Sequence, residues 1–513
     1  MTTGTTGSLL PFFVAVVLGS SLASAAVPKV CGESSSLSSR WQRAPQAVTE
    51  YFDSTGNERF DQRTACARWA GMFYNRKGTR GNNAPAADAL PARFIMFPAA
   101  GVSLQQLANW LGRTRLVRHI EPARNFLVAS FASRLSAAEL REILDSPHVE
   151  YAEPDCDGPD FLTTSVQLFD EPGKTPSCWQ RAARATFPND PCIDELWGHT
   201  KIGWDSAVAA RSLPRKVAVL DSGIDAFHED LVSGVNISFD AKERLHSQGS
   251  DLNARCATSG RCYPHGTEMA GTIAGRMDNG IGVAGVAPNS QLLPIVISRV
   301  DRGLLARLST IAAGIDAAVR GDADVINISA KWPVDSRVIA EAIVAAVGGD
   351  AAKRRLVVTG YATSLDSDDS VREYFPSQYR CLPGVLAAVP ADMRGHELFN
   401  PKGHPDANDG RIQAPGVDIV VTTTENSERG YALSGAAGAS SAAAYVSGAV
   451  ALVWGSPPLN TCDAQQIKRL LFCRSKSSDS TRYPWIHVDF LRELASLGPG
   501  ATCGTAMAAL GCD

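Results

Sequence analysis

Between about residues 188 and 475, short apolar runs alternate with helical stretches, and this limits the possible folds more than any other feature of the chain. "KVAVLDSG", "QLLPIVI", "DVINIS" and "RLVVTG" read as strands, while "LARLSTIAAGIDAAVRG" and "RVIAEAIVAAVGG" read as helices. Strands that alternate with helices argue for an α/β fold, a mostly parallel sheet with helices on both faces. In such sheets the site lies at the carboxyl ends of the strands, so the residues just after each apolar run are the candidates.

Three candidates stand out. "VAVLDSGID" puts Asp221 directly after a strand, although Asp-Ser-Gly is also an ordinary turn. "PHGTEMAGTIAG" puts His265 before a glycine and a helix of small residues, and "GAAGASSAAAYVSG" supplies serines. Serine is a weak nucleophile at its free pKa. It needs an imidazole to take its proton, and the imidazole needs a carboxylate to fix its tautomer. A serine on the first turn of a helix also meets free N–H groups and the positive end of the helix dipole, both suited to an oxyanion. Small neighbours let a substrate backbone come close.

With these residues in the order Asp, His, Ser, the region resembles the subtilisin family of serine peptidases. "VAVLDSGIDAFHEDL" is similar to the family's aspartate motif, "HGTEMAGTIAG" to its histidine motif, and "NGIGVAGVAP" follows at the expected interval. "IQAPGVDIVVT" resembles the approach to the serine, and "GASSAAAYVSGAVAL" the serine motif. The resemblance implies Asp221, His265 and Ser440 as the catalytic residues. Ala439, Ser441, Ala444 and Tyr445 replace the usual Thr, Met, Pro and His. "PNDPCIDELWGHTKIGW" is similar to the start of the mature enzyme.

Upstream, "RFIMFPA", "NFLVASFA" and "HVEYAEPD" read as strands, with helices "SLQQLANWLGRT" and "SAAELREILDSP" between them. Ser136 and Glu139 are spaced for a capping box in the second helix. This small two-layer α/β unit resembles the family's inhibitory propeptide, which implies a C-terminal strand laid in the substrate cleft. The expected organisation is a signal peptide (1–25), an unassigned polar segment (26–90), the propeptide-like domain (91–155), a linker with the maturation site (156–187), the catalytic domain (188–475) and a Cys-containing tail read as a short appendage (476–513). "QRAARAT" is the expected exposed cleavage site within the linker.

Leu9–Leu18 is an apolar run followed by small residues, with Ala23 and Ala25 in an A-x-A arrangement, although no Lys or Arg precedes it. The run is short for a membrane span, so secretion is expected, with no span left once the signal is removed. Twelve cysteines in a secreted chain imply disulfides. Cys256 and Cys262 bracket a short polar loop and are expected to pair, and Asn236 begins a glycosylation sequon. Asn327 begins another, in an apolar strand where it is expected to be inaccessible. A net charge of −4 gives no electrostatic reason to expect nucleic acid as a partner. The expected partners are protein or peptide substrates and the chain's own propeptide.

Two segments depart from the family pattern. Where the family has a Gly-Asn pair, this chain continues "YATSLDSDD", and Thr363 falls at the oxyanion position with a shorter, rotating donor. Loss of an oxyanion donor costs about 2.7–4 kcal/mol. Where the family has a Gly-Gly substrate wall, this chain has Ser329, Ala330, Lys331, Trp332 and Pro333. The two bulky residues either crowd and reshape the cleft or point to solvent. The departures leave two readings open, an active secreted endopeptidase and a pseudoprotease kept for binding or regulation. The complete triad favours the first. An α/β esterase would place its triad in the order Ser, Asp, His. The chemistry requires no cofactor. Calcium, which many relatives use for stability, has a candidate loop in Asp366, Asp368 and Asp369, but this reads as a solvated acidic loop and lacks the EF-hand glycine and glutamate.

Overall fold

The computed structural model describes residues 93–114, 117–122, 125–131, 142–143, 145–155, 157–158, 178, 181–225, 228–231, 264–299, 305–332, 336–348, 355–365, 371–397, 410–423, 430–433, 438–475 and 483–512. Six parallel strands make the main sheet. They are β6 (Lys216–Asp221), β7 (Gln291–Val296), β10 (Val325–Ile328), β11 (Leu356–Gly360), β14 (Val385–Ala391) and β15 (Arg411–Pro415), in the spatial order β15-β14-β11-β10-β6-β7.

The strands are apolar throughout because both faces are covered. Along β6, Val217 and Val219 join one core cluster while Ala218 and Leu220 join the other. Leu356 and Val358 on β11 follow the first, with Val357 between them in the second. That is the period-two alternation of a pleated strand. Helices α2 (His265–Ala274) and α5 (Ala439–Gly455) cover the first face, and α3 (Leu308–Arg320) and α4 (Arg337–Val347) cover the second. This is the expected parallel α/β fold.

The upstream unit is a four-stranded antiparallel sheet of β1 (Arg93–Pro98), β2 (Val117–Pro122), β3 (Leu127–Phe131) and β4 (Val149–Pro154), ordered β2-β3-β1-β4. Helix α1 (Leu104–Arg113) begins with a Ser103–Gln106 capping box. Strand β2 was not foreseen, because "VRHIEP" holds no apolar run that would mark it. On β1, Phe94 and Met96 face α1, while Ile95 and Phe97 join the core under α3 and α4. The sheet of the small unit therefore sits on those two helices.

Two carboxylates complete this contact. Helix α4 starts at Ser336, whose hydroxyl makes no cap bond within its own helix. Glu153 of β4 accepts instead from the Ser336 hydroxyl at 2.9 Å, the Arg337 N–H at 3.0 Å and the Val338 N–H at 3.1 Å. Asp155 does the same for α3, accepting from the Ser309 N–H at 3.0 Å and the Ser309 hydroxyl at 2.7 Å. Acceptors there satisfy otherwise unpaired donors and face the positive ends of the helix dipoles. The Arg337 guanidinium lies over the Phe97 and Tyr151 rings and pairs with Glu150 and Glu341. Past β4, β5 (Asp157–Gly158) pairs antiparallel with β9 (Leu305–Arg307), the middle strand of a three-stranded sheet completed by β8 (Ser298–Arg299).

The segment read as a short appendage is part of the main core. Residues 483–486 run beside β15, with the Gln413 N–H donating to the Pro484 carbonyl and the Ile486 N–H to the Gln413 carbonyl. Phe490, Leu491, Leu494, Ala506 and Met507 join the core cluster of α2 and α5. Disulfides Cys462–Cys503 and Cys473–Cys512 tie helix α6 (Ala464–Arg474) and the turn before it to α7 (Cys503–Ala509) and the residues after it. Phe490, Leu491, Leu494 and Leu497 recur at helical spacing, a signal of a buried face that the reading as an appendage did not use. Cys178–Cys192 is the third described pair. Residues 1–90, Cys256, Cys262, Asn236, Ser136, Glu139, Asp366, Asp368 and Asp369 lie outside the described residues. No described helix is long and apolar enough to cross a membrane.

Burial pushes the Glu153 carboxyl up to about 7, against the pull of its hydrogen bonds from Val338, Ser336, Arg337 and Tyr151. The docked state therefore keeps a proton that a solvated carboxylate, near 4.5, has lost. Docking is strongest below that lower value, weakens as pH rises towards 7, and is flat above. Hydrogen exchange at the Arg337 and Val338 amides, corrected for intrinsic rates, should show protection falling across this window. Glu153→Gln should abolish the dependence. Equal protection at both ends of the window in the unaltered chain would refute the assignment.

Candidate active site

Asp221 ends β6, His265 opens α2, and Ser440 is the second residue of α5. The close approach of Asp221 and His265 rests on glycine. A Cβ at Gly266 would stand 2.1 Å from the Gly223 carbonyl oxygen and 3.1 Å from the Asp221 side chain. The His265 Nδ1 lies 2.9 Å and 2.8 Å from the two Asp221 oxygens. The Ser222 N–H also donates to Asp221 at 2.7 Å, and the Ser222 hydroxyl accepts from the Gly266 N–H at 3.2 Å. These contacts fix Nδ1 as the protonated nitrogen, which leaves Nε2 as an acceptor. Nε2 is buried and has no hydrogen-bond partner among the described residues.

Burial pulls the His265 pKa down, but the Asp221 charge, its hydrogen bond and the Glu268 charge outweigh it, and the net shift is upward. A raised histidine stabilises the fold below its unfolded value, and that contribution is lost as pH climbs through the folded pKa. The imidazole is therefore a stronger base than a free one.

Ser440 lies at the N-terminus of α5 behind Gly438, where a Cβ would meet the Gly416 carbonyl oxygen at 1.8 Å. Its hydroxyl donates to the Ser329 carbonyl at 3.4 Å, not to His265. Of the other serines in that stretch, Ser441 is buried in the first turn, and Ser447 donates to Asn327 Oδ1 at 3.0 Å. Ser434 lies outside the described residues. Asn327 in turn donates to the Ser329 hydroxyl at 2.9 Å. A chain of contacts thus ties α5 to the segment that starts at Ser329, and Asn327 is as inaccessible as its strand implied.

The departing segments resolve differently. Ser329 and Ala330 are buried. Trp332 neither crowds the cleft nor points to solvent. It is fully buried in the α3–α4 core, and its backbone exchanges hydrogen bonds with Phe375. Lys331 is half-buried with its ammonium over the Tyr374 ring, 5.0 Å from the centroid. Pro333 lies outside the described residues. The end of β11 meets helix α5 at Gly360, where a Cβ would be 2.7 Å from the Ala439 carbonyl oxygen. Tyr361 follows, with its ring packed against Tyr483 and its hydroxyl accepting from Arg411 at 3.2 Å. Thr363 comes later, in a hairpin of β12 (Thr363–Leu365) and β13 (Val371–Glu373), with its backbone opposite Glu373. Its side chain is outside the described set. Sequence reasoning missed Gly360 and Tyr374, since neither residue type marks a site without the contact that gives it meaning.

No group of three or more His, Cys, Asp or Glu among the described residues is placed to hold a metal. The buried Asp230 carboxylate, which burial pushes up to about 8, instead accepts from Asn279 at 2.7 Å, the Val283 N–H at 2.7 Å and the Tyr431 hydroxyl at 3.1 Å.

Residues 215–482, just over half of the chain, match the family model described as "Subtilase family". The chain is 33% identical over 257 residues to subtilisin of Bacillus pumilus, an alignment covering 50% of this chain and 82% of that one. It is 32% identical over 251 residues to the major intracellular serine protease of Bacillus subtilis (strain 168), covering 49% and 70%. The crystal structure of fervidolysin from Fervidobacterium pennivorans, a keratinolytic enzyme related to subtilisin, superposes with a TM-score of 0.56 at 20% identity, covering 80% of this chain and 62% of that one. That likeness extends the agreement in fold beyond the family region.

Asp221→Asn removes the larger of the two charges that lift His265 and leaves burial opposed by the weaker Glu268 charge. The imidazole pKa, followed by ring-proton NMR, should drop from above the free-histidine value to below it. An unchanged value would contradict the assigned cause.

Proposed function

Because the chain belongs to the subtilase family, we propose that it is a secreted serine endopeptidase, made as an autoinhibited zymogen, that cleaves peptide bonds through an acyl-enzyme. The observation that carries this reading is the buried Asp221–His265 pair, with Nε2 left as an acceptor and Ser440 on the first turn of α5. Turnover requires the Ser440 hydroxyl to swing from the Ser329 carbonyl to His265 Nε2, a rotation about one side-chain bond. Nε2 then takes the proton as Oγ bonds to the scissile carbonyl carbon. The imidazolium, steadied by Asp221, returns the proton to the leaving amine as the C–N bond breaks. Water attacks the ester by the same route, which releases the acid and restores the serine. Backbone N–H groups at the start of α5 face the developing oxyanion, and the Thr363 hydroxyl is proposed as the second donor.

Zymogen control is supported by the capping of α3 and α4 through Asp155 and Glu153 and by the antiparallel pairing of β5 with β9. Residues 181–187, largely exposed, offer a cleavage site inside the Cys178–Cys192 loop, so a cut there would leave the two pieces joined. The disulfides fit an oxidising compartment, in line with the leader pattern of residues 1–25. A binding role without turnover is the second reading, favoured by the Ser440 hydroxyl being engaged by Ser329.

A fluorophosphonate should add covalently to Ser440 in the purified chain, with the adduct located by peptide mass spectrometry and absent in Ser440→Ala. A matured chain, freed of residues 91–155, that takes no label would overturn the peptidase reading. Thr363→Val should lower kcat by about 10²–10³-fold, the usual cost of one oxyanion donor, and Thr363→Asn should raise it. An unchanged kcat in both would show that backbone N–H groups suffice.

A further inference from the structure

Two segments flank Ser440. One is 329–332, reached through the Ser329 carbonyl 3.4 Å from the Ser440 hydroxyl. The other is the end of β11, reached through the contact of Gly360 with Ala439. A short bridge links them. Trp332 and Phe375 exchange backbone hydrogen bonds at 2.8 Å each, and the Tyr374 N–H donates to the Ala362 carbonyl at 3.0 Å. Lys331 and Tyr374 are the side chains that meet where these segments join.

Lys331 is the cation of this junction. Trp332 turns into the core, and neighbouring side chains on an extended segment point to opposite sides. Lys331 therefore faces away from the core, on the side that stays partly open. Two residues of extended chain span about 7 Å, so Lys331 lies within one residue's reach of a peptide held at Ser440. Among the described residues no carboxylate stands against its ammonium, whose partner is the face of the Tyr374 ring. A desolvated ammonium with only a π-face for company gains most from an anion brought by a ligand.

We infer that Lys331 is a specificity-determining residue, whose ammonium selects peptides carrying an Asp or Glu side chain next to the scissile bond. The Tyr374 ring forms the other wall of that subsite and packs on the methylenes of the incoming side chain. Burial lowers the Lys331 pKa to about 8, so the charge is present at neutral pH and the selectivity fades as pH rises through that value.

The peptide ligand rests on the peptidase reading, so the test has a turnover arm and a binding arm. In the first, the purified chain is given paired peptides that differ only by Glu or Gln beside the cleaved bond, and kcat/KM is measured for each. The Glu:Gln ratio should be about 10 or more, the usual worth of one charge-assisted hydrogen bond. It should fall to about one in Lys331→Gln. In Lys331→Glu the order should reverse, with peptides carrying Lys at that place preferred over their Glu counterparts. In the second arm, calorimetry on Ser440→Ala compares the same peptides without turnover. A ratio near one in both arms for the unaltered Lys331 overturns the inference, as does a ratio that survives in both variants. Selective binding with no cleavage overturns the peptidase reading and leaves the role of Lys331 standing. Phosphonate labelling of the variants, or their thermal melting where no label is taken, shows that they are folded.

Discussion

Backbone-to-backbone contact at three glycines is the constraint on which the site depends. Gly266 meets the Gly223 carbonyl, Gly360 meets the Ala439 carbonyl, and Gly438 meets the Gly416 carbonyl. A methyl group at any of them would lie inside contact distance of main-chain atoms, which cannot give way as a flexible side-chain end can. The first contact brings the histidine's helix onto the aspartate's strand, and the others hold the serine's helix against the sheet. Small residues along α5, including Ala442, Ala443 and Gly448, continue the same close packing away from the site. The placement of Asp221, His265 and Ser440 thus depends on how near helices can come to strands.

The other face of the same sheet carries the helices on which the small unit packs. Helices α3 and α4 present unpaired N–H groups at the end where the small unit docks, and that unit supplies one carboxylate to each. Both carboxylates sit on or just past β4, the strand that leads into β5, which pairs with β9. Capping and the pairing of β5 therefore act along one continuous stretch of chain, and Tyr151 of that stretch packs with Phe97 of β1 against the Arg337 guanidinium. A change at Glu153 is placed to alter how firmly that stretch is held.

Much of this was legible in the sequence. The alternation of runs gave the parallel sheet, and Asp221, His265 and Ser440 each stand at the end of the element that their motifs implied. The substrate wall was harder to read. Lys331 and Trp332 looked alike as bulky replacements, yet one packs in the core and the other stays half open. Only the pairing of Trp332 with Phe375, 43 positions away, separates them. The tail was misread although Phe490, Leu491, Leu494 and Leu497 give it a local apolar face; what that face packs on, through Ile202, Gln413 and α5, is set by residues far away in the chain. Long-range contacts of this kind leave no local period, which is why they escape a reading based on periodicity.

Asp221, His265 and Ser440 are held to work as one unit, and the most direct test is whether their losses add. Residual peptide hydrolysis should be compared in Ser440→Ala, in His265→Ala and in the double variant, with folding checked by thermal melting. The double variant should be no slower than the slower single variant, within a few-fold, because either change alone already disables the unit. Losses that multiply would mean that the two residues act independently, and would contradict their working as one unit.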